Sequence, residues 1–141
     1  MTLPIRALAP GSAEGLALVL DQPLSLWGGL DPATGRIVDR RHPQWDALVT
    51  GRVLVMASGR GSSSSSSVLA EAVRLGFGPA AIVLREPDAI LVIGSLVALE
   101  LYGHAPPVVV VGPDVFATIR TGDAIRVSPG GISLAGGAGE T

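Results

Sequence analysis

An apolar segment at residues 52–57 (RVLVMA) runs without a spacer into Ser58-Gly59-Arg60-Gly61, then into six consecutive serines at 62–67, then into VLAEAVRLG. In that last stretch Val68, Leu69, Ala72, Val73 and Leu75 recur at the spacing of one helix face. The order is strand, tight loop, helix. Serine is poor inside a helix and good at its start. The run is therefore expected to wrap the helix start and to set hydroxyls beside first-turn N–H groups that lack an intrahelical partner. Such a place attracts anions. The bland alternative is a flexible serine linker, which low complexity alone favours. Linkers, however, seldom join a buried strand directly to an amphipathic helix.

Residues 3–8 and 15–20 read as two strands joined by a turn at 9–13, and 24–27 as a short third strand. Residues 28–43 (GGLDPATGRIVDRRHP) are dense in turn signals and read as an irregular, partly exposed excursion with room for a short strand at 36–38. The strand at 52–57 has no polar alternation, as expected when both faces are buried. A helix over 64–75 follows it. After GFGP, residues 80–84 form another apolar strand. Arg85-Glu86-Pro87-Asp88 then leads into a helix over 90–101 that Asp88 is placed to cap, and 108–111 is a further continuous apolar run. Strand, helix, strand, helix, strand in this order is the pattern of parallel βαβ units with right-handed crossovers. Residues 114–121 suit a short helix or turn, and 124–128 pairs with 132–134 through Pro129-Gly130-Gly131.

Strand-rich ends around a central α/β portion fit one compact β/β/α barrel-like domain of the α/β class, spanning 1–141, better than a long open sheet. A nucleotide-binding fold competes, since loops after strands bind phosphates there too. Yet GRGSSS lacks the full GxGxxG spacing and no GxxxxGK(S/T) is present.

Composition narrows the function further. A chain of 141 residues can bury its own core, and with two Trp, one Tyr and two Phe that core must be aliphatic. A net charge of -2 with scattered arginines argues against nucleic acid as a partner. The absence of Cys excludes disulfides and thiolate ligation of an iron-sulfur cluster by this chain. The start MTLPIRALAPGS has no basic region followed by a long apolar core, and no stretch reaches membrane-spanning length, so a soluble cytoplasmic protein is expected. Lys and Asn are absent while Ala, Gly, Val and Arg abound, which suggests a GC-rich, bacterial coding sequence.

The segment SGRGSSSSSSVLAEAVRLGFGPAAIVLREPDAILVIGSLVALELYG resembles the small subunit, or swivel domain, of the aconitase X family of hydro-lyases. The resemblance extends from GLALVLDQPLSLWGGLDPATGRIVDRRHP to VVVVGPDVFATIRTGDAIRVSPGGISL. It implies a swivelling β/β/α fold that works against a larger catalytic subunit carrying an iron or iron-sulfur cofactor, with none held by this chain. In the aconitase superfamily the swivel domain carries Gly-Ser-Ser-Arg at a helix start, and the first serine removes the substrate proton. Gly61-Ser62-Ser63-Ser64 occupies the matching positions, so the resemblance implies Ser62 as the base, with Arg60, Gly61, Ser63 and Ser64 as substrate-binding residues. Ser64 stands where the superfamily has arginine, leaving Arg60 or backbone N–H groups to hold a carboxylate. The family implies a small hydroxy-carboxylate substrate, with two activities for split enzymes: dehydration of cis-3-hydroxy-L-proline and of mevalonate 5-phosphate. The bacterial composition favours the first. A non-catalytic module that binds an anion or regulates a partner through the same loop is the competing class.

A serine hydroxyl is far too weak an acid to serve as a base in water. Its alkoxide needs preorganised N–H donors, a helix start and exclusion of solvent, and a position just after a glycine and ahead of a helix provides the first two. Departure of the substrate hydroxyl needs a Lewis acid that no residue here supplies. Arg60 is either a carboxylate clamp or a surface arginine capping a carbonyl. Arg85, Glu86 and Asp88 are either a substrate or partner contact or, more commonly, a capped helix start with a local ion pair. His42 and His104 stand alone, which usually means ordinary surface histidines. Trp27 and Trp45 flank the excursion as interface anchors or as its packing against the barrel.

Overall fold

The computed structural model describes residues 1–134. In chain order the elements are β1 (Arg6–Ala9), β2 (Ala13–Val19), a single turn α1 (Leu26–Gly29), β3 (Val53–Met56), α2 (Ser65–Leu75), β4 (Ala81–Leu84), α3 (Ala89–Tyr102), β5 (Val108–Val110), α4 (Pro113–Thr118), β6 (Ala124–Ser128) and β7 (Gly131–Leu134). The domain expected over 1–141 therefore has its last seven residues, 135–141, outside the described part.

One seven-stranded sheet runs in the order β1-β5-β4-β3-β2-β6-β7. The strands from β2 to β5 pair in parallel through β3 and β4, while β1, β6 and β7 run antiparallel to their neighbours. Leu3, just ahead of β1, exchanges backbone hydrogen bonds of 2.7 and 2.9 Å with Ile132 of β7. Both edges of the sheet thereby meet, and the sheet curls on itself.

Curling splits the apolar strands between two cores, because successive side chains point to opposite faces. Leu54, Met56, Ile82 and Leu84 face α2 and α3 and pack with Leu69, Val73 and Leu91. Val53, Val55, Ala81, Val83 and Val109 face the inside of the curl, where they meet Ile119, Ile125, Val127 and Ile132. On β3 and β4 the smaller Val53, Val55, Ala81 and Val83 point into the curl, while the larger Leu54, Met56, Ile82 and Leu84 lie under the helices. This is the physical reason the strands lack polar alternation.

The helix α3 passes close enough to the start of α2 that a β-carbon on Gly94 would stand 2.8 Å from the Ser66 carbonyl oxygen and 3.2 Å from Leu69 Cβ. Alanine is the better helix former by about 1 kcal/mol. Gly94→Ala is nevertheless expected to destabilise the domain by about 1–3 kcal/mol, the cost of overpacking a tight contact, read as a lower urea midpoint. Ser95 next to it is buried and donates to the Pro106 carbonyl, tying α3 to the segment ahead of β5.

Two expectations need correction. Residues 24–27 do not form a strand: α1 is an irregular turn, bent by Gly28 at φ 82°. Four apolar residues cannot distinguish strand from turn, and the left-handed glycine decides it. The turn at 9–13 joins β1 and β2 as expected, and the two strands lie apart in the sheet. The short strand at 36–38 reduces to isolated bridges, Leu30 with Ile37 and Arg36 with Leu48. Asp88 caps α3 as expected, accepting the Leu91 N–H at 3.0 Å. Among the described residues no helix is long and apolar enough to cross a membrane.

Candidate functional site

Segments that follow the C-terminal ends of parallel strands gather at one edge of an α/β sheet, where ligands bind. Here those segments are α1 after β2, the serine loop after β3, and residues 85–88 after β4. Glycines let them touch. A side chain on Gly59 would collide with the Asp88 carboxylate, and one on Gly61, at φ 90°, would collide with Ser25. Ser65, only 3% exposed, accepts the Trp27 N–H at 3.1 Å and so fastens α1 to the first turn of α2.

The serines have unequal roles. The Ser62 hydroxyl is exposed and accepts the Ser64 N–H at 3.0 Å, while its carbonyl accepts the Ser65 N–H at 3.0 Å. Ser63 is exposed too, and its carbonyl accepts both the N–H and the hydroxyl of Ser66. Ser64 is half-buried at the N-cap position, but its side chain makes no capping bond, so the run caps α2 through Ser62 instead. Among the described residues the N–H groups of Ser62 and Ser63 have no hydrogen-bond partner. The loop thus offers free donors and a hydroxyl that already receives one N–H.

Beside the loop opens a polar cleft of about 470 Å³, walled by Ser25, Trp27, Gly28, Gly29, Asp39, Arg41, His42 and Arg60 among others. Arg60 is exposed and, among the described residues, makes no ion pair. Ser62, Ser63 and Ser64 lie outside the lining, just past Gly61, which rests on the cleft wall at Ser25. The Trp27 ring is 60% exposed at the rim, whereas Trp45 packs under the Arg40 guanidinium, 4.9 Å from the ring centroid. Neither indole is buried in the barrel.

His42 departs from the expectation of an ordinary surface histidine. It is 6% exposed, its Nε2 donates to the Gln22 carbonyl at 2.9 Å, and its Nδ1 accepts the Gln44 N–H at 3.0 Å. With both ring nitrogens engaged it pins the excursion to the segment after β2, helped by Gln44, whose amide brackets Asp21. His104 is exposed. Asp39 and Arg41 were not singled out from the sequence; the charged DRR triplet inside a turn-rich segment was the available signal. Around Asp88 the local explanation holds, with Arg85 paired to Glu86 at 3.8 Å and its guanidinium 5.6 Å from the Phe116 ring centroid.

Among the described residues the side chains present do not fit a metal cluster. The chain has no Cys, and among the described residues no group of three or more His, Asp or Glu is placed to hold an ion. Glu71, held below the usual carboxylate range by its hydrogen bonds with Arg74, belongs to an exposed pair on α2 and adds little stability.

The aconitase X swivel-domain model matches residues 2–134. A cis-3-hydroxy-L-proline dehydratase of Pseudomonas aeruginosa is 47% identical over 107 residues, 76% of this chain and 18% of that protein. A second protein of that name, from Hypocrea jecorina, is 35% identical over 90% of this chain and 21% of its own length. This chain thus spans about a fifth of these two relatives. The phosphomevalonate dehydratase small subunit of Methanopyrus kandleri is 42% identical over 84% of each chain. The crystal structure of Thermococcus kodakaraensis aconitase X superposes with a TM-score of 0.84 at 28% identity, covering 95% of this chain and 98% of that one.

Proposed function

This chain belongs to the aconitase X swivel-domain family, and we propose that it is the small subunit of a heteromeric hydro-lyase, with Ser62 as the base that removes the substrate proton. The observation that carries the reading is the Ser64 N–H donated to the Ser62 hydroxyl at the start of α2. A donor aimed at that oxygen stabilises the alkoxide more than the alcohol, and the helix start favours negative charge at the same place. Free N–H groups at Ser62 and Ser63, with Arg60 alongside, suit a substrate carboxylate.

The substrate in this reading is cis-3-hydroxy-L-proline. Ser62 takes the proton from the carbon bearing the carboxylate, hydroxide leaves the adjacent carbon, and the resulting enamine tautomerises to 1-pyrroline-2-carboxylate. Departure of the hydroxide is assigned to a large subunit with an iron or iron-sulfur cofactor, because this chain has no Cys and its described residues include no group of three or more His, Asp or Glu placed to hold an ion. A partner also suits α3, whose exposed Ile93, Leu96, Val97 and Leu101 make a surface of the kind an interface covers. The second reading, a mevalonate 5-phosphate dehydratase small subunit, is favoured by the mutual 84% coverage with the Methanopyrus kandleri protein.

Assay of the complex reconstituted with its large subunit separates the two. Turnover of cis-3-hydroxy-L-proline, with mevalonate 5-phosphate untouched, is expected. The opposite preference would overturn the substrate, and turnover of neither would leave the non-catalytic module as the better account.

A further inference from the structure

The cleft beside the serine loop carries charges of both signs, and this bears on which acid it accepts. We infer that it is a zwitterion pocket in which Arg60 receives the carboxylate of an α-amino acid and Asp39 its ammonium group, so that Asp39 selects amino acids over purely anionic substrates. The inference rests on the dehydratase reading above and deepens it.

Asp39 is partly committed. Its Oδ1 accepts the Arg41 N–H at 3.0 Å and lies 3.7 Å from Arg41 Nε, a contact with a side chain that is 94% exposed and hence weak. Its Oδ2 has no hydrogen-bond partner among the described residues. The pocket therefore presents one uncommitted guanidinium, one uncommitted carboxylate oxygen and the exposed Trp27 ring around about 470 Å³, ample for a small cyclic amino acid. A molecule carrying both a carboxylate and a phosphate would set like charge against Asp39, whereas an amino acid satisfies both groups. Gly61 rests against Ser25 of the cleft wall, so the pocket adjoins the loop that carries Ser62.

The test uses the reconstituted complex and two unreactive probes, L-proline and cyclopentanecarboxylate, which differ in the ammonium group. Asn keeps the Oδ1 acceptor for the Arg41 N–H, so Asp39→Asn preserves the local turn. It is expected to weaken inhibition by L-proline at least tenfold while leaving cyclopentanecarboxylate unchanged or better bound, and to raise KM for cis-3-hydroxy-L-proline by more than it lowers kcat. Asp39→Glu, which retains the charge, is expected to restore part of the L-proline binding. Equal effects on both probes, or no effect on either, would overturn the inference. The larger reading fails differently: a complex with no dehydratase activity, or one that prefers mevalonate 5-phosphate, refutes the function or its substrate whatever the two probes report.

Discussion

Ser62→Ala is expected to cost the reconstituted dehydratase about 100-fold to 10,000-fold in turnover, the usual penalty for losing a general base, while the chain stays folded and bound to its partner. The structural role of this hydroxyl is small by comparison. It accepts one N–H at the start of α2 from an exposed position, and losing a cap of this type costs about 0.5–2 kcal/mol. A thermal melt and a binding measurement therefore separate chemistry from folding. The controls follow from the unequal surroundings of the serines. Ser67 is exposed, and Ser67→Ala is expected to change neither stability nor rate appreciably. Ser66→Ala loses only a bond to the Ser63 carbonyl. Ser65→Ala is not a neutral control, because it removes the acceptor of the part-buried Trp27 N–H that fastens α1 to α2, at about 0.5–1.5 kcal/mol for one lost hydrogen bond. Near-normal turnover by Ser62→Ala, or equal losses across the series in step with lost stability, would remove Ser62 as the base.

That series also marks where sequence reasoning stops. The family resemblance singles out Ser62, but it does not tell which of the other serines is structural: burial separates Ser65 from Ser62, and that burial depends on α1 arriving from another strand. The central βαβ succession was legible because its three apolar runs are long, uninterrupted and bounded by Gly and Pro. The Asp88 cap was legible because capping is local chemistry. Closure of the sheet by Leu3 and Ile132 joins residues from opposite ends of the chain, and no local pattern encodes it. His42 reads as exposed because its neighbours are charged. Its burial is decided by hydrogen bonds to Gln22 and Gln44, which meet only once the excursion has folded back. The polar cleft escaped notice for the same reason, since Asp39 and Arg60 come from separate loops.

The purified chain on its own is expected to melt as a folded domain and to show no dehydration of cis-3-hydroxy-L-proline, with activity appearing only when the large subunit is added. Folding is expected because two continuous aliphatic cores sandwich the sheet and both sheet edges are joined. Inactivity follows from the exposure of Ser62. At 4 Å two unit charges attract by about 1 kcal/mol in water and by about 4 kcal/mol at an effective dielectric constant near 20. The Ser64 N–H and the start of α2 gain comparable leverage on an alkoxide only when water is displaced from it. Among the described residues no other element covers Ser62 and Ser63, so in the proposed complex the partner is assigned that role. Titrating the large subunit into the chain should therefore restore turnover with a saturation point at the subunit stoichiometry, and Ser62→Ala should bind with the same titration curve without restoring rate. Turnover by the chain alone, with no large subunit detectable by mass spectrometry, would mean that the serine loop is competent in open water, and the division of labour between two subunits would have to be abandoned.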